Sequence, residues 1–269
     1  MIHLEKPKVY FTDNDLLNPT NPVTINLIGA GGTGSQVLTA LARMNHALTE
    51  LNHAGLSVRL WDDDFITEAN LGRQLFAESE LGLYKSVALI NRINRFFGTN
   101  LKAETRKFER NILGRVQNNM QSAIYISCVD NVKSRFEITE ILNELKESRR
   151  LYRNQCKYWM DFGNSQYSGQ VLFSTIGNIK QPNSDKYETV AYLPSVTEEF
   201  GELLKISELE DDMRSCSLAE ALEKQDLYIN STSSQMGSYL LWSLFRSGMT
   251  ENKGFFLNIK NFHSQPIKL

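Results

Sequence analysis

The stretch Asn26-Leu-Ile-Gly-Ala-Gly-Gly-Thr-Gly-Ser35 limits what this chain can fold into more than any other segment. Ile25 to Ile28 is an apolar run that reads as a short buried strand, and a long helical pattern follows the glycines. Gly29, Gly31 and Gly34 have the GxGxxG spacing, with Gly32 inside the same turn. The first glycine permits a tight turn, the second lets backbone approach a phosphate, and the third lets helix pack on strand. The free N–H groups that open the helix then face the ligand, where the helix dipole favours negative charge. The motif says nucleotide without saying which one, and a simple packing turn in an α/β protein has the same spacing.

The flanking pattern is that of parallel βαβ winding. Ser35 to about His53 keeps a helical period, and Leu56–Trp61 alternates like a strand that ends in Asp62, Asp63 and Asp64. Phe65–Phe76 reads as a loop with a short helix, Lys85–Phe97 as a helix, Leu101–Lys107 as a strand and Asn111–Met120 as a short helix. Ala123–Cys128 is a strongly apolar strand that stops at Val129-Asp130-Asn131, and residues 131–147 are helical. Tyr158–Phe162 and Gly169–Ser174 alternate, so parallel winding gives way to an antiparallel segment. Ser217–Gln225 and Ile229 to about Arg246 read as helices, and Phe255–Ile259 with Phe262–Leu269 as a terminal hairpin. The expected fold is α/β: a Rossmann-like doubly wound sheet, mainly parallel with an antiparallel extension, in three αβα layers. Residues 1–23, broken by Pro7, Pro19 and Pro22, form an N-terminal arm, and residues 24–269 a single domain. Within it, 177–214 carries Pro182 and Pro194 and reads as a long loop of the kind that serves as a lid or binding segment.

Composition removes several function classes. The formal net charge of -2 gives no support to nucleic-acid binding. No apolar run approaches the roughly 18–20 residues of a membrane span. The cysteines, Cys128, Cys156 and Cys216, are 3 in number and widely spaced, which argues against a disulfide framework and for a reducing cytoplasm. No CxxC pair exists, so no four-cysteine zinc is expected. His3, His46, His53 and His263 neither cluster for a metal nor pair with a serine, and no role is assigned to them.

In an open α/β sheet ligands sit beyond the carboxyl ends of the strands. That rule gathers the glycine turn, Asp62–Asp64 and Cys128–Asn131. Asp62 ends the neighbouring strand and can accept from both ribose hydroxyls, while Asp64 substitutes for it or braces the following loop. Arg73 and Lys85 are cations that a dinucleotide dehydrogenase seldom needs there, whereas a triphosphate and its departing pyrophosphate do. Asn70 offers an amide to the same oxygens. Asp130 has two available roles, holding Mg²⁺ between phosphate oxygens and capping the following helix. The roles are compatible if Asn131 caps and Asp130 points into the cleft.

Gly29-Ala-Gly-Gly-Thr-Gly-Ser35, Asp62-Asp-Asp64, Asn70-Leu-Gly-Arg-Gln74, Lys85 and Cys128-Val-Asp-Asn131 with Arg135, taken in order, resemble the ThiF/MoeB family, bacterial relatives of ubiquitin-activating enzymes. With Cys216-Ser-Leu-Ala-Glu-Ala-Leu and the polar helix start at Asn230, the chain is most similar to the ThiF-family members of the PRTRC gene cassettes. The resemblance implies binding of Mg·ATP and of a small ubiquitin-fold or sulfur-carrier protein with a C-terminal Gly. The partner's carboxylate attacks the α-phosphate, giving an acyl-adenylate and pyrophosphate. It further implies that Asp62 holds the ribose, Asn70, Arg73 and Lys85 the phosphates, and Asp130 the Mg²⁺. Gln74 supports the loop or touches phosphate, and 177–214 is the crossover loop over the partner's tail. Arg73, Lys85 and Asp130 would be catalytic, with Cys216 as the thiol that takes a thioester at a helix mouth, where the dipole lowers its pKa. Cys128 and Cys156 read as packing residues. A homodimer is the family expectation, yet residues 1–23 contain no Arg to complete a partner's site, so Lys6 or Lys8 would have to replace it. Other readings are an adenylating dehydratase or cyclase on a small molecule or tRNA base, and a nucleotide-binding module that has lost catalysis. An NAD dehydrogenase leaves Arg73, Lys85 and Asp130 without a task.

Overall fold

Alternation along the strands gives this chain two apolar surfaces to bury on opposite sides of one sheet. A computed structural model describes residues 6–147, 156–208 and 225–269. β1 (Lys8–Phe11) and α1 (Asn14–Leu17) lead into β2 (Val23–Ile28), the glycine turn and α2 (Gly32–Glu50). β3 (Leu56–Trp61), α3 (Lys85–Phe97), β4 (Lys102–Glu104), β5 (Ile124–Ser127) and α4 (Val132–Glu147) follow. β6 (Tyr158–Asn164) and β7 (Ser168–Thr175) precede β8 (Glu188–Thr189), α5 (Val196–Glu199) and α6 (Gly201–Glu208). The chain ends with α7 (Ile229–Ser247), β9 (Met249–Thr250), β10 (Asn252–Asn258) and β11 (His263–Lys268).

The main sheet has 8 strands in the order β11-β10-β7-β6-β5-β2-β3-β4. β4, β3, β2, β5 and β6 run parallel, and β7, β10 and β11 extend the sheet antiparallel. One face carries Ile25, Leu27, Val58, Leu60, Ile124, Ile126 and Met160 against Leu41, Leu89, Ile93, Leu241 and Leu244 from α2, α3 and α7. The other carries Ile28, Trp61, Tyr125 and Trp159 against Ile138, Ile141, Leu142 and Leu145 of α4. A sheet buried on both faces needs helices on both, which gives the three αβα layers. The Rossmann-like fold with an antiparallel extension is therefore as expected, and the terminal hairpin is present as β10–β11.

Three expectations need correction. Residues 111–120 do not form a helix. Asn111 turns the chain by accepting at Oδ1 from the N–H groups of Leu113 and Arg115, Gly114 takes φ +69°, and only Asn118–Met120 makes a 3₁₀ turn. Ile112 and Leu113 in this segment are fully or largely exposed. The strand expected over Leu101–Lys107 is confined to Lys102–Glu104, where it pairs with β3. The 177–214 segment is not loop throughout. Ser195 caps α5 through a reciprocal box with Glu198, and α6 follows. Thr197 bonds Thr139 of α4, and Glu199 pairs with Lys253 at 2.7 Å, so the start of this helical part is tied to the body.

β1, which carries the fully buried Val9 and Tyr10, sits between β8 and β9 in a separate 3-stranded sheet. The buried Lys157 ammonium joins that N-terminal segment to the body through Asp13 at 2.7 Å and Asp15 at 2.6 Å. Among the described residues no helix is long and apolar enough to cross a membrane.

Candidate functional site

β2 lies between β3 and β5, so the direction of winding switches at its end, and the crevice beyond β2 and β5 is where such a sheet takes a ligand. The glycines there do different work. Gly29 has φ +97°, and a Cβ on it would stand 2.7 Å from the Cys128 carbonyl oxygen. A Cβ on Gly34 would stand 1.9 Å from the Gly29 carbonyl oxygen, so helix and strand touch through this position. A Cβ on Gly31 would meet open space. Gly31 is also the N-cap of α2 and has no capping side chain, so the first N–H groups of a 19-residue helix remain for an anion. Gly32 lies under the Asn230 side-chain amide, 2.7 Å from where its Cβ would be.

Asp62 follows β3 and leans onto this turn. Its carboxylate accepts from the Ala30 N–H at 2.6 Å and the Asp64 N–H at 3.0 Å. Burial pushes its pKa up to about 6, against the opposing pull of the Ala30 N–H and of Lys85. Lys85 opens α3 with a buried side chain, and its ammonium pairs with Asp64 at 2.8 Å. Asp64 thus braces the loop and holds a cation within reach of Asp62.

The raised Asp62 pKa has a stability consequence with a definite sign. A group whose folded-state pKa lies above its unfolded value favours folding below the unfolded pKa, and that benefit is lost as pH rises through the folded one. Stability at this site should fall between about pH 4 and pH 6, by on the order of 3 kcal/mol. Asp62→Asn should flatten that part of the pH profile, as read by urea unfolding at a series of pH values; equal slopes in variant and wild type would contradict it.

Arg73 comes from the loop after the Glu68–Asn70 3₁₀ turn. Burial works against its charge and the negative Asp130 supports it. One guanidinium nitrogen donates to the Gln225 Oε1 at 2.8 Å, while its Nε is buried without a partner. Asn70 spends its Oδ1 on the Thr67 N–H and hydroxyl, which closes its own turn. Gln74 is buried and bonded through its N–H to the Asn70 carbonyl, with its Oε1 unpaired.

Asp130 is exposed beyond β5, and Asn131 caps α4 by accepting from the Ser134 N–H at 2.8 Å. The side-chain amide of Asn131 also donates to Asp130 Oδ1 at 3.1 Å. Below them Arg135 is buried. It pairs with Asp161 at 3.0 Å and donates to the Val129 and Phe162 carbonyls. The crevice therefore gathers the glycine turn, Asp62, Asp64, Lys85, Arg73 and Asp130. Asn131 caps the helix through its Oδ1, Asn70 uses only its Oδ1 on its turn, and Cys216 lies outside the described residues. Cys156 packs with its thiol 3.0 Å from the Tyr125 hydroxyl, and burial pushes the Cys128 thiol up.

Sequence reasoning missed a polar cluster on the same crevice. Asn230 Oδ1 accepts from the Thr33 hydroxyl at 2.8 Å and from Asn164 at 3.2 Å. The Asn164 amide also donates to Thr33 at 2.7 Å. The available signal was the run Asn230-Ser-Thr-Ser-Ser-Gln235, an unusually polar opening for a helix that packs in the interior. A cavity of about 530 Å³ lies at the amino ends of the central strands, lined by Val23, Thr24, Ala123 and Lys157, at the opposite end of the sheet from the glycine turn.

The family model described as the ThiF family matches residues 9–268. Among solved structures, PaaA is similar at 13% identity with a TM-score of 0.58, over 91% of this chain and 72% of that one. E. coli MccB with ATP matches at 14% identity and a TM-score of 0.57, over 95% of this chain and 65% of that one. E. coli MccB with MccA gives 14% identity and a TM-score of 0.57, over 94% and 65%. This chain thus spans a little under two thirds of the length of MccB. No curated protein matches it by sequence.

Proposed function

The chain belongs to the ThiF family, and on that premise we propose that it binds Mg·ATP at the glycine turn and adenylates the C-terminal carboxylate of a small protein or peptide, releasing pyrophosphate. The observation that carries this reading is the convergence of an uncapped helix N-terminus, two cations and an exposed acid on one crevice. Backbone N–H groups at Gly31 and the Arg73 guanidinium would receive phosphate oxygens, and Lys85 would leave Asp64 to do so. Asp62, already fixed by two N–H groups, keeps lone pairs for the ribose hydroxyls. These contacts hold the α-phosphate still and stabilise charge as the carboxylate attacks.

No cluster of three or more potential metal ligands exists among the described residues. Mg²⁺ does not need one, since it is commonly held by one or two carboxylates together with substrate phosphates. The exposed Asp130 carboxylate is such a donor and fits the ion, which when bound would neutralise phosphate charge. Neighbours solved as MccB with ATP and MccB with MccA support a nucleotide and a small peptide-like partner. The finer reading is a ubiquitin-fold or sulfur-carrier protein ending in Gly, its tail passing under the 177–214 segment. Cys216 is where a thioester would follow. A cytoplasmic homodimer of the PRTRC branch is part of the same proposal.

Thermal shift with Mg·ATP and with NAD tests the site. A ligand at about 100 times its Kd adds ~2.7 kcal/mol, or roughly 5–10 °C for a domain of this size. The expected result is a shift with Mg·ATP and none with NAD; a shift with NAD alone would overturn the reading.

A further inference from the structure

Arg73 reaches its site from a loop, on a long side chain with about 2 kcal/mol of rotamer entropy to lose when fixed. A hydrogen bond to Gln225, 152 positions away in the chain, holds it. Gln225 is itself anchored. The Asp226 N–H donates to the Gln166 carbonyl at 2.9 Å, and the Asn230 amide donates to Gln225 Oε1 at 3.4 Å. Asn230 is 3% exposed, sits over Gly32, and is bonded to Thr33 in the first turn of α2. Ser234, one turn further along α7, donates to the Thr33 carbonyl. A line of polar contacts therefore joins the glycine turn to the guanidinium.

We propose that Gln225, backed by Asn230, is a positioning residue that holds the Arg73 guanidinium at the mouth of the glycine turn for an incoming phosphate. The inference rests on the adenylation reading and adds to it how its mobile cation is set in place. A neutral amide suits this task. It orients the guanidinium through one hydrogen bond and leaves the positive charge unneutralised, whereas a carboxylate at the same point would compete with phosphate. The single hydrogen bond to Gln225 leaves other N–H groups of the guanidinium for the ligand. Fixing the side chain beforehand removes part of the ordering cost from the binding step.

Calorimetric titration of Mg·ATP into the full chain tests this. Gln225→Ala should weaken ATP binding about tenfold, the size of one lost hydrogen bond to a charged group. The unfolding temperature without ATP should stay that of the wild type. Gln225→Glu should bind ATP more weakly than Gln225→Ala, because the new carboxylate keeps the geometry and opposes the phosphate. In an Arg73→Ala background, Gln225→Ala should produce no further loss, since Gln225 acts through Arg73. A purely structural role would lower the unfolding temperature and add its full effect in that background, which would overturn the inference. So would wild-type affinity in Gln225→Ala or in Gln225→Glu. A wild-type chain indifferent to Mg·ATP would overturn the adenylation reading and this inference together, whereas wild-type binding with an unaffected Gln225→Ala would overturn the inference alone.

Discussion

Arg73→Ala and Asp130→Ala should each reduce ATP-dependent pyrophosphate exchange by about 10²–10³-fold or more, the scale of losing one preorganised electrostatic contact to a transition state. Neither should disturb the fold. Asp130 is exposed and receives one local hydrogen bond, from Asn131. Arg73 is held by Gln225, and its Nε is buried and unpaired, so its removal also removes a desolvated charge. Substitutions of this kind usually stay within about 1 kcal/mol of wild type. The pair therefore combines a small structural cost with a large functional one. The check is exchange with a carboxylate substrate that the wild type accepts, alongside urea unfolding. Unchanged exchange in either variant would remove that residue from the site.

The protein carries local penalties at this crevice. Asp62 is charged at neutral pH in surroundings that disfavour the charge. Arg73 and Gln74 bury polar atoms without partners. A sequence selected for stability alone would avoid all three, because an unsatisfied buried polar atom costs about 1–3 kcal/mol. Asp62, bonded to the Ala30 N–H, lies beside the open helix N-terminus, where polar oxygens of a ligand would offset part of its cost.

Much of this was legible in the sequence because its causes are local. Gly29 and Gly34 are required by contacts within a few residues of the turn or one strand away, and the spacing declares them. α3 begins at Lys85 and ends before Gly98, which takes φ +65° as its C-cap, so both bounds could be read from the residues. The 111–120 segment is not a helix because Asn111 and Gly114 turn the chain there, and Ile112 and Leu113 find no surface to pack on. Gln225, Asn230 and Asn164 were not legible as site residues. Their partners, Arg73 and Thr33, are more than a hundred positions away, and only the folded sheet brings them together. Arg135 was visible as part of a motif, but its partner Asp161 stands on another strand.

That ion pair supports the last expectation. Arg135 is 7% and Asp161 2% exposed in their side chains, and the Ser127 hydroxyl donates to the same carboxylate while accepting from the Trp159 indole. Arg135→Ala leaves the Asp161 charge buried without its partner, which typically costs about 3–5 kcal/mol, a large part of the roughly 5–15 kcal/mol that holds a domain together. Removing both charges is different. Arg135→Met with Asp161→Leu replaces the pair by apolar groups and should recover much of that loss, because no uncompensated charge remains. Exchange activity should not recover with it. The guanidinium also donates to the Val129 carbonyl, directly before Asp130, and reaches the Asn131 carbonyl at 3.5 Å, directly after it. Without those bonds the backbone on either side of Asp130 loses its anchor. Urea unfolding and exchange measured on the single and double variants separate the two effects. A double variant that regained both stability and exchange would mean that Asp130 is held by the Asn131 cap alone, and that the buried pair serves the core and not the site.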